Sequence, residues 1–180
     1  MLQITVPGVE GWDERINQFI KIKEQTLILE HSLVSLSKWE SRWHKPFLSK
    51  GEKTMEETID YIKCMTITQN VDPNIYNFLT QENIKQVMDY IDDPMTATTF
   101  SEEKSRKPNR EIITAEVIYY WMVALNIPPE YQKWHLNRLM TLIRVCNIKS
   151  APPKKRSKRD ILTSYAELNA ARRKQLNSKG

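Results

Sequence analysis

The chain has 180 residues, 40% of them hydrophobic, which is enough for one domain with a real core plus appendages. No run approaches the roughly 18 to 20 apolar residues that span a bilayer, and no basic-then-apolar leader opens the chain, so a cytosolic, membrane-free protein is expected. The formal net charge of +5 is unevenly placed: residues 150–180 hold nine Lys and Arg against two acids, a net +7, leaving −2 on residues 1–149 and no need for a polyanionic partner there.

Taken in chain order, the first 30 residues carry the strand signals. LQITV ends at Pro7 and Gly8, where a turn is expected. QFIKI and TLILE are rich in β-branched and aromatic residues and flank Lys23, Glu24 and Gln25, which reads as a hairpin. A small N-terminal antiparallel sheet of about three strands, packed on a helical body, follows from these signals.

Helical spacing takes over at residue 31. Ser32 can cap a helix that aligns Leu33, Leu36, Trp39 and Trp43 and stops at Pro46. Thr54 and Glu57 have capping-box spacing ahead of a stripe of Met55, Ile59, Ile62 and Met65. Asp72-Pro73 is a cap with proline at the first helical position, and Thr80 opens a helix with Ile84, Val87, Met88 and Ile91 inward, closed by Asp92, Asp93 and Pro94. Residues 95–110 have no apolar period and read as a solvated loop.

Residues 111–149 concentrate the most apolar surface at helical spacing. Thr114 is placed to cap a helix in which Val117, Ile118, Trp121, Met122 and Leu125 form one face and Tyr119, Tyr120 and Val123 another, so burial nearly all round is expected. Asn126 and Pro128 stop it, and Pro129 can open a second helix with Leu136, Leu139, Met140, Ile143 and Cys146 inward. SAPPKKRSKRD is a proline-stiffened basic linker, and Ser157 with Asp160 has capping-box spacing before a terminal amphipathic helix that aligns Ile161, Leu162, Tyr165 and Leu168. The organisation is therefore mainly α: a β segment at 1–30, a helical core domain at 31–149, and a basic linker with a tethered C-terminal helix at 150–180.

Signals for an active site are sparse. His31, His44 and His135 lie far apart, with no HExxH pair, and read as half-buried histidines; Cys64 and Cys146 read as buried thiols. Four glycines without a GxGxxG or P-loop pattern give no nucleotide cradle. No enzyme, metal, cofactor or small-molecule substrate is expected. The candidate sites are for macromolecules. Trp39, Trp43, His44 and Phe47 form an aromatic, basic cluster suited to anchoring a partner, and Ile161, Leu162, Tyr165 and Leu168 form a stripe too small to stand alone. Lys154, Lys155, Arg156, Lys158 and Arg159 either keep a tether extended or neutralise nucleic-acid phosphates.

The segments LEHSLVSLSKWESRWHKPFL, NREIITAEVIYYWMVALNIP, QKWHLNRLMTLIRVCNIK and LNAARRKQLNSKG resemble a group of tailed-bacteriophage proteins encoded among virion-assembly genes and similar to tail assembly chaperones, from about Leu27 to the end of the chain. The resemblance implies a non-enzymatic protein of the host bacterial cytoplasm. Such a protein coats the tape-measure protein, keeps it from aggregating and helps tail-tube subunits polymerise around it, with phage tail proteins or itself as partners. The basic terminus departs from the acidic character usual in such chaperones, and it equally suits a virion structural protein whose tail contacts nucleic acid.

Overall fold

The computed structural model describes residues 1–13, 18–100, 112–151 and 158–176. It is mainly helical, with a small N-terminal antiparallel sheet and a C-terminal helix. Strands β1 (Leu2–Val6), β2 (Val9–Asp13), β3 (Gln18–Ile22) and β4 (Gln25–Leu29) precede helices α1 (Leu33–Trp43), α2 (Met55–Met65), α3 (Gln81–Asp92), α4 (Ala115–Ala124), α5 (Leu136–Ser150) and α6 (Lys158–Leu176). Single 3₁₀ segments span Pro73–Phe78 and Pro129–Lys133. Two compact units result, Met1–Asn147 and Ile148–Gly180.

The strands pair differently from the expected hairpin at 23–25. β1 pairs with β4 and β2 with β3, both antiparallel, so QFIKI meets VEGWD and not TLILE. Val6 faces Gln25 and Val9 faces Ile22, so the same two-residue interruption on each side keeps one ribbon in register. Pro7-Gly8 makes that interruption possible. Proline has no N–H for the ladder, and a Cβ on Gly8 would lie 2.8 Å from the Glu24 nitrogen and 3.0 Å from the Ile22 oxygen. Lys23-Glu24-Gln25 lacks the Gly or Asn that a tight primed turn requires, so the chain runs on past it.

The base of the ribbon is core. Ile4, Val6, Leu27 and Leu29 are buried beside Leu33, Leu36, Trp39, Ile62, Met65 and Leu139. Both edges of this half are covered. Next to β4, Glu30 N donates to the Met65 carbonyl at 2.9 Å and Ile67 N to the Ile28 carbonyl at 2.8 Å, while on β1 the Asn83 amide donates to the Thr5 carbonyl at 3.2 Å. Unpaired strand edges are templates for aggregation, and these contacts remove them.

Local caps set most helix starts. Ser32 with Ser35, Thr54 with Glu57 and Thr80 with Asn83 each close a capping box, and Asp72 accepts from Asn74 N. α1 ends at His44, which takes the left-handed conformation (φ 53°) two residues before Pro46. Three inward assignments change. Met88 is 40% exposed and Met55 59%, while Asn83 and Tyr90 turn inward on α3. Cys64 is buried, but Cys146 is only half-buried.

α4 is not buried all round: Ala115, Ile118 and Met122 pack inward, whereas Tyr120 is 68% and Val123 77% exposed. It packs against α1 by one face and leaves the other uncovered by the described residues. Pro129 opens only the short 3₁₀ turn. Its C-cap Trp134 is extended, and α5 begins afresh at Leu136, so the Pro-Pro corner is a two-step turn and not a direct helix start. Of the 95–110 loop, residues 101–110 lie outside the described residues, as does Ser157 of the expected second capping box.

Candidate functional site

The first expected partner site, at the end of α1, divides in two. Trp39 is 1% exposed, donates its indole N–H to the Glu57 carbonyl at 2.9 Å and meets the Phe47 ring edge-on at 5.1 Å. Phe47 is itself buried and stacks on Tyr61 with centroids 3.9 Å apart. Neither ring presents surface, so the reading of Trp39 and Phe47 as partner anchors is corrected: both are core. The stripe through Leu33, Leu36 and Trp39 finds its cover within the body, and the tertiary aromatic stack outcompetes exposure.

Glu40 explains why that region closes so tightly. Its two carboxylate oxygens accept from Phe47 N and Ala115 N, both at 2.7 Å, which ties the 46–47 corner and the start of α4 to α1. Thr114 occupies the N-cap position of α4 but makes no side-chain cap bond; the carboxylate of a distant helix takes that role at the positive end of the α4 dipole. The signal for this in the sequence is a lone acid directly after the apolar stripe.

Trp43 and His44 stay outside the core. Trp43 is half-buried, donates to Asp60 Oδ2 at 2.9 Å and borders an open groove of about 620 Å³ with Met55 and Ile59 as apolar floor and the Arg42–Asp60 ion pair on its rim. His44 is exposed. Nearby, Lys45 bonds Glu57 at 2.5 Å, and this bond, helped by the Thr54 amide, holds the Glu57 carboxyl below the usual range. A second groove of about 620 Å³ lies between the 94–100 segment and helices α4 and α5, where Arg144 covers the Phe100 ring at 4.0 Å.

α6 is described by itself. Leu162, Tyr165, Leu168 and Leu176 are 69%, 64%, 49% and 76% exposed, and every described side chain from Leu162 to Leu176 is exposed. At roughly 3.6 residues per turn these four share one side of a 19-residue helix, with Glu167 on the other. Arg159 is exposed; Lys154, Lys155 and Arg156, and the side chains of Lys158 and Ile161, fall outside the described residues. A further aromatic surface went unread in the sequence. Trp12 and Phe19 face each other across β2 and β3 at 60% and 64% exposure, next to the 2.5 Å Lys21–Glu10 ion pair. VEGWD carries no period-two apolar pattern, so nothing in its sequence marked it as the strand that pairs Trp12 with Phe19.

The structure also brings together groups that no local pattern connects. His31 and His135 are 2% and 6% exposed, not half-buried, and their rings sit edge-on with centroids 5.0 Å apart. His31 Nδ1 shares a 2.6 Å hydrogen bond with the Tyr61 hydroxyl. His135 Nε2 lies 2.9 Å from the Tyr90 carbonyl, which can only accept, so Nε2 carries the proton and Nδ1 is a buried acceptor with no partner among the described residues. Tyr90 in turn donates to Glu30 at 2.8 Å. Burial, reinforced by the neighbouring His135, lowers His31 to about 3, and burial pushes the Tyr61 and Tyr90 hydroxyls up. The His31 imidazole is therefore neutral at pH 7.

Among the described residues no group of three His, Cys, Asp or Glu could hold a metal ion, and no helix is long and apolar enough to cross a membrane. Comparison with protein-family models, with curated proteins and with solved structures gives no match for this chain.

Proposed function

We propose that this chain is a non-enzymatic morphogenesis factor of a tailed bacteriophage that binds tape-measure or tail-tube proteins in the host cytoplasm, with α6 as its principal contact and the Trp43 groove as a second. The observation that carries this reading is the stripe of Leu162, Tyr165, Leu168 and Leu176, which is exposed on a helix whose other described side chains are mostly polar. An isolated helix gains little stability in water from such residues, whereas an apolar groove on another protein rewards them at about 25 cal/mol per Å² removed from water. The resemblance of the 27–180 region to tail assembly chaperones names the partner class.

Co-expression of the full chain with a tape-measure fragment tests the proposal. A soluble complex that is lost when Leu162, Tyr165 and Leu168 become Ser is the expected result; a fragment that stays insoluble and retains nothing overturns it. Salt-sensitive capture of duplex DNA, abolished when Lys154, Lys155, Arg156, Lys158 and Arg159 become Ser, would assign the tail to nucleic acid instead.

A further inference from the structure

The buried imidazoles lie where two distant parts of the chain are sewn together. Leu136 N donates to the His31 carbonyl at 2.7 Å and Ser32 bridges His135, so the start of α5 is held against the β4–α1 junction directly over the His31–His135 contact. Every element packed there supplies groups that suit neutral rings. α2 contributes the Tyr61 hydroxyl and, behind it, the Cys64 thiol, both pushed up by burial; α3 contributes the Tyr90 carbonyl and ring; the 46–47 corner contributes the Phe47 ring.

The carboxylates of the same network are engaged elsewhere. Glu30 is held by the Tyr90 hydroxyl and by the Met1 amino group at 3.2 Å, and Glu40 by the Phe47 and Ala115 amides. Among the described residues, no carboxylate hydrogen-bonds either ring. A proton added here has no counter-charge, a second would sit about 5 Å from the first, and His135 Nδ1–H would be a buried donor without an acceptor.

We propose that the His31–His135 pair is an acid-sensitive latch: acidification releases the start of α5 from the β4–α1 junction while neutral pH keeps it shut. The direction follows from the burial of both rings and the uncharged state of His31. The unfolded or opened chain takes up protons near the ordinary imidazole value of 6.5, whereas folded His31 resists down to about 3, so stability is full above pH 6.5 and declines as the pH falls towards 3. One such site raises the opening equilibrium constant about 25-fold between pH 7 and pH 5.

Urea unfolding and amide hydrogen exchange of the full chain at pH 7 and pH 5 test this. The unfolding constant should rise at least tenfold, with exchange in residues 31–36 and 134–140 accelerating more than in α2. Replacing both rings, His31→Gln with His135→Gln, should remove most of that pH dependence. An unchanged slope in the double variant, or no loss of stability in the native chain, overturns the latch. Should the double variant fail to fold, ring signals of ¹³C-histidine-labelled native protein decide: His31 remaining neutral at pH 5 in the folded chain supports it, and its protonation near pH 6.5 with exchange protection intact sinks it.

Discussion

α1 and α6 are both amphipathic helices in the sequence, each with apolar residues three and four apart among charged ones, yet their stripes have opposite fates. In α1, Leu33, Leu36 and Trp39 are sealed against the ribbon base and the Phe47–Tyr61 stack, and Glu40 adds two charge-assisted hydrogen bonds at the same seam. In α6, Leu162, Tyr165 and Leu168 face solvent. The difference teaches that periodicity identifies which side of a helix will be used but not by whom. α1 uses its side within the body, and we propose that α6 uses its own on a partner.

That contrast can be broken most severely at Trp39. Trp39→Ala removes a fully buried ring and its indole hydrogen bond to the Glu57 carbonyl, so a loss of roughly 3–5 kcal/mol in urea-derived stability is expected; a loss below about 1 kcal/mol would mean that α1 is not core. Glu40→Ala leaves two buried amides unpartnered and should cost roughly 2–4 kcal/mol, with Glu40→Gln intermediate because its amide retains one acceptor oxygen. At the other extreme, Leu162→Ser with Leu168→Ser in α6 should move the melting of the body by less than about 0.5 kcal/mol equivalent while removing partner binding. A large drop in melting temperature from that pair would show that α6 is structural and would erase the distinction between the two helices.

What was legible in the residues was local. The capping pairs Thr54–Glu57 and Asp72-Pro73 operate over three residues or fewer, and their hydrogen bonds form as read. LQITV is a strand for the same reason: alternation every second residue is a property of the segment itself. Strand pairing was not legible, because Lys23-Glu24-Gln25 separates two good strands without the turn chemistry that joins them, and the true partner of QFIKI lies across residues 14–17. Of the candidate site, Leu162, Tyr165 and Leu168 are exposed, while Trp39 and Phe47 went inward, since a Trp on a helical stripe looks the same whether a neighbour covers it or not.

The amino-acid order alone determined the helical character of this protein, the strand at its beginning and the concentration of positive charge at its end, because propensity, caps and composition act between near neighbours. Tertiary structure decided the rest: that Glu40 caps a helix far along the chain, that Gly8 lets the chain pass close to Ile22 and Glu24 between the two strand pairs, and that His31 meets His135. Each of those depends on a desolvated contact between distant segments, and its free energy exists only once the core has closed around it.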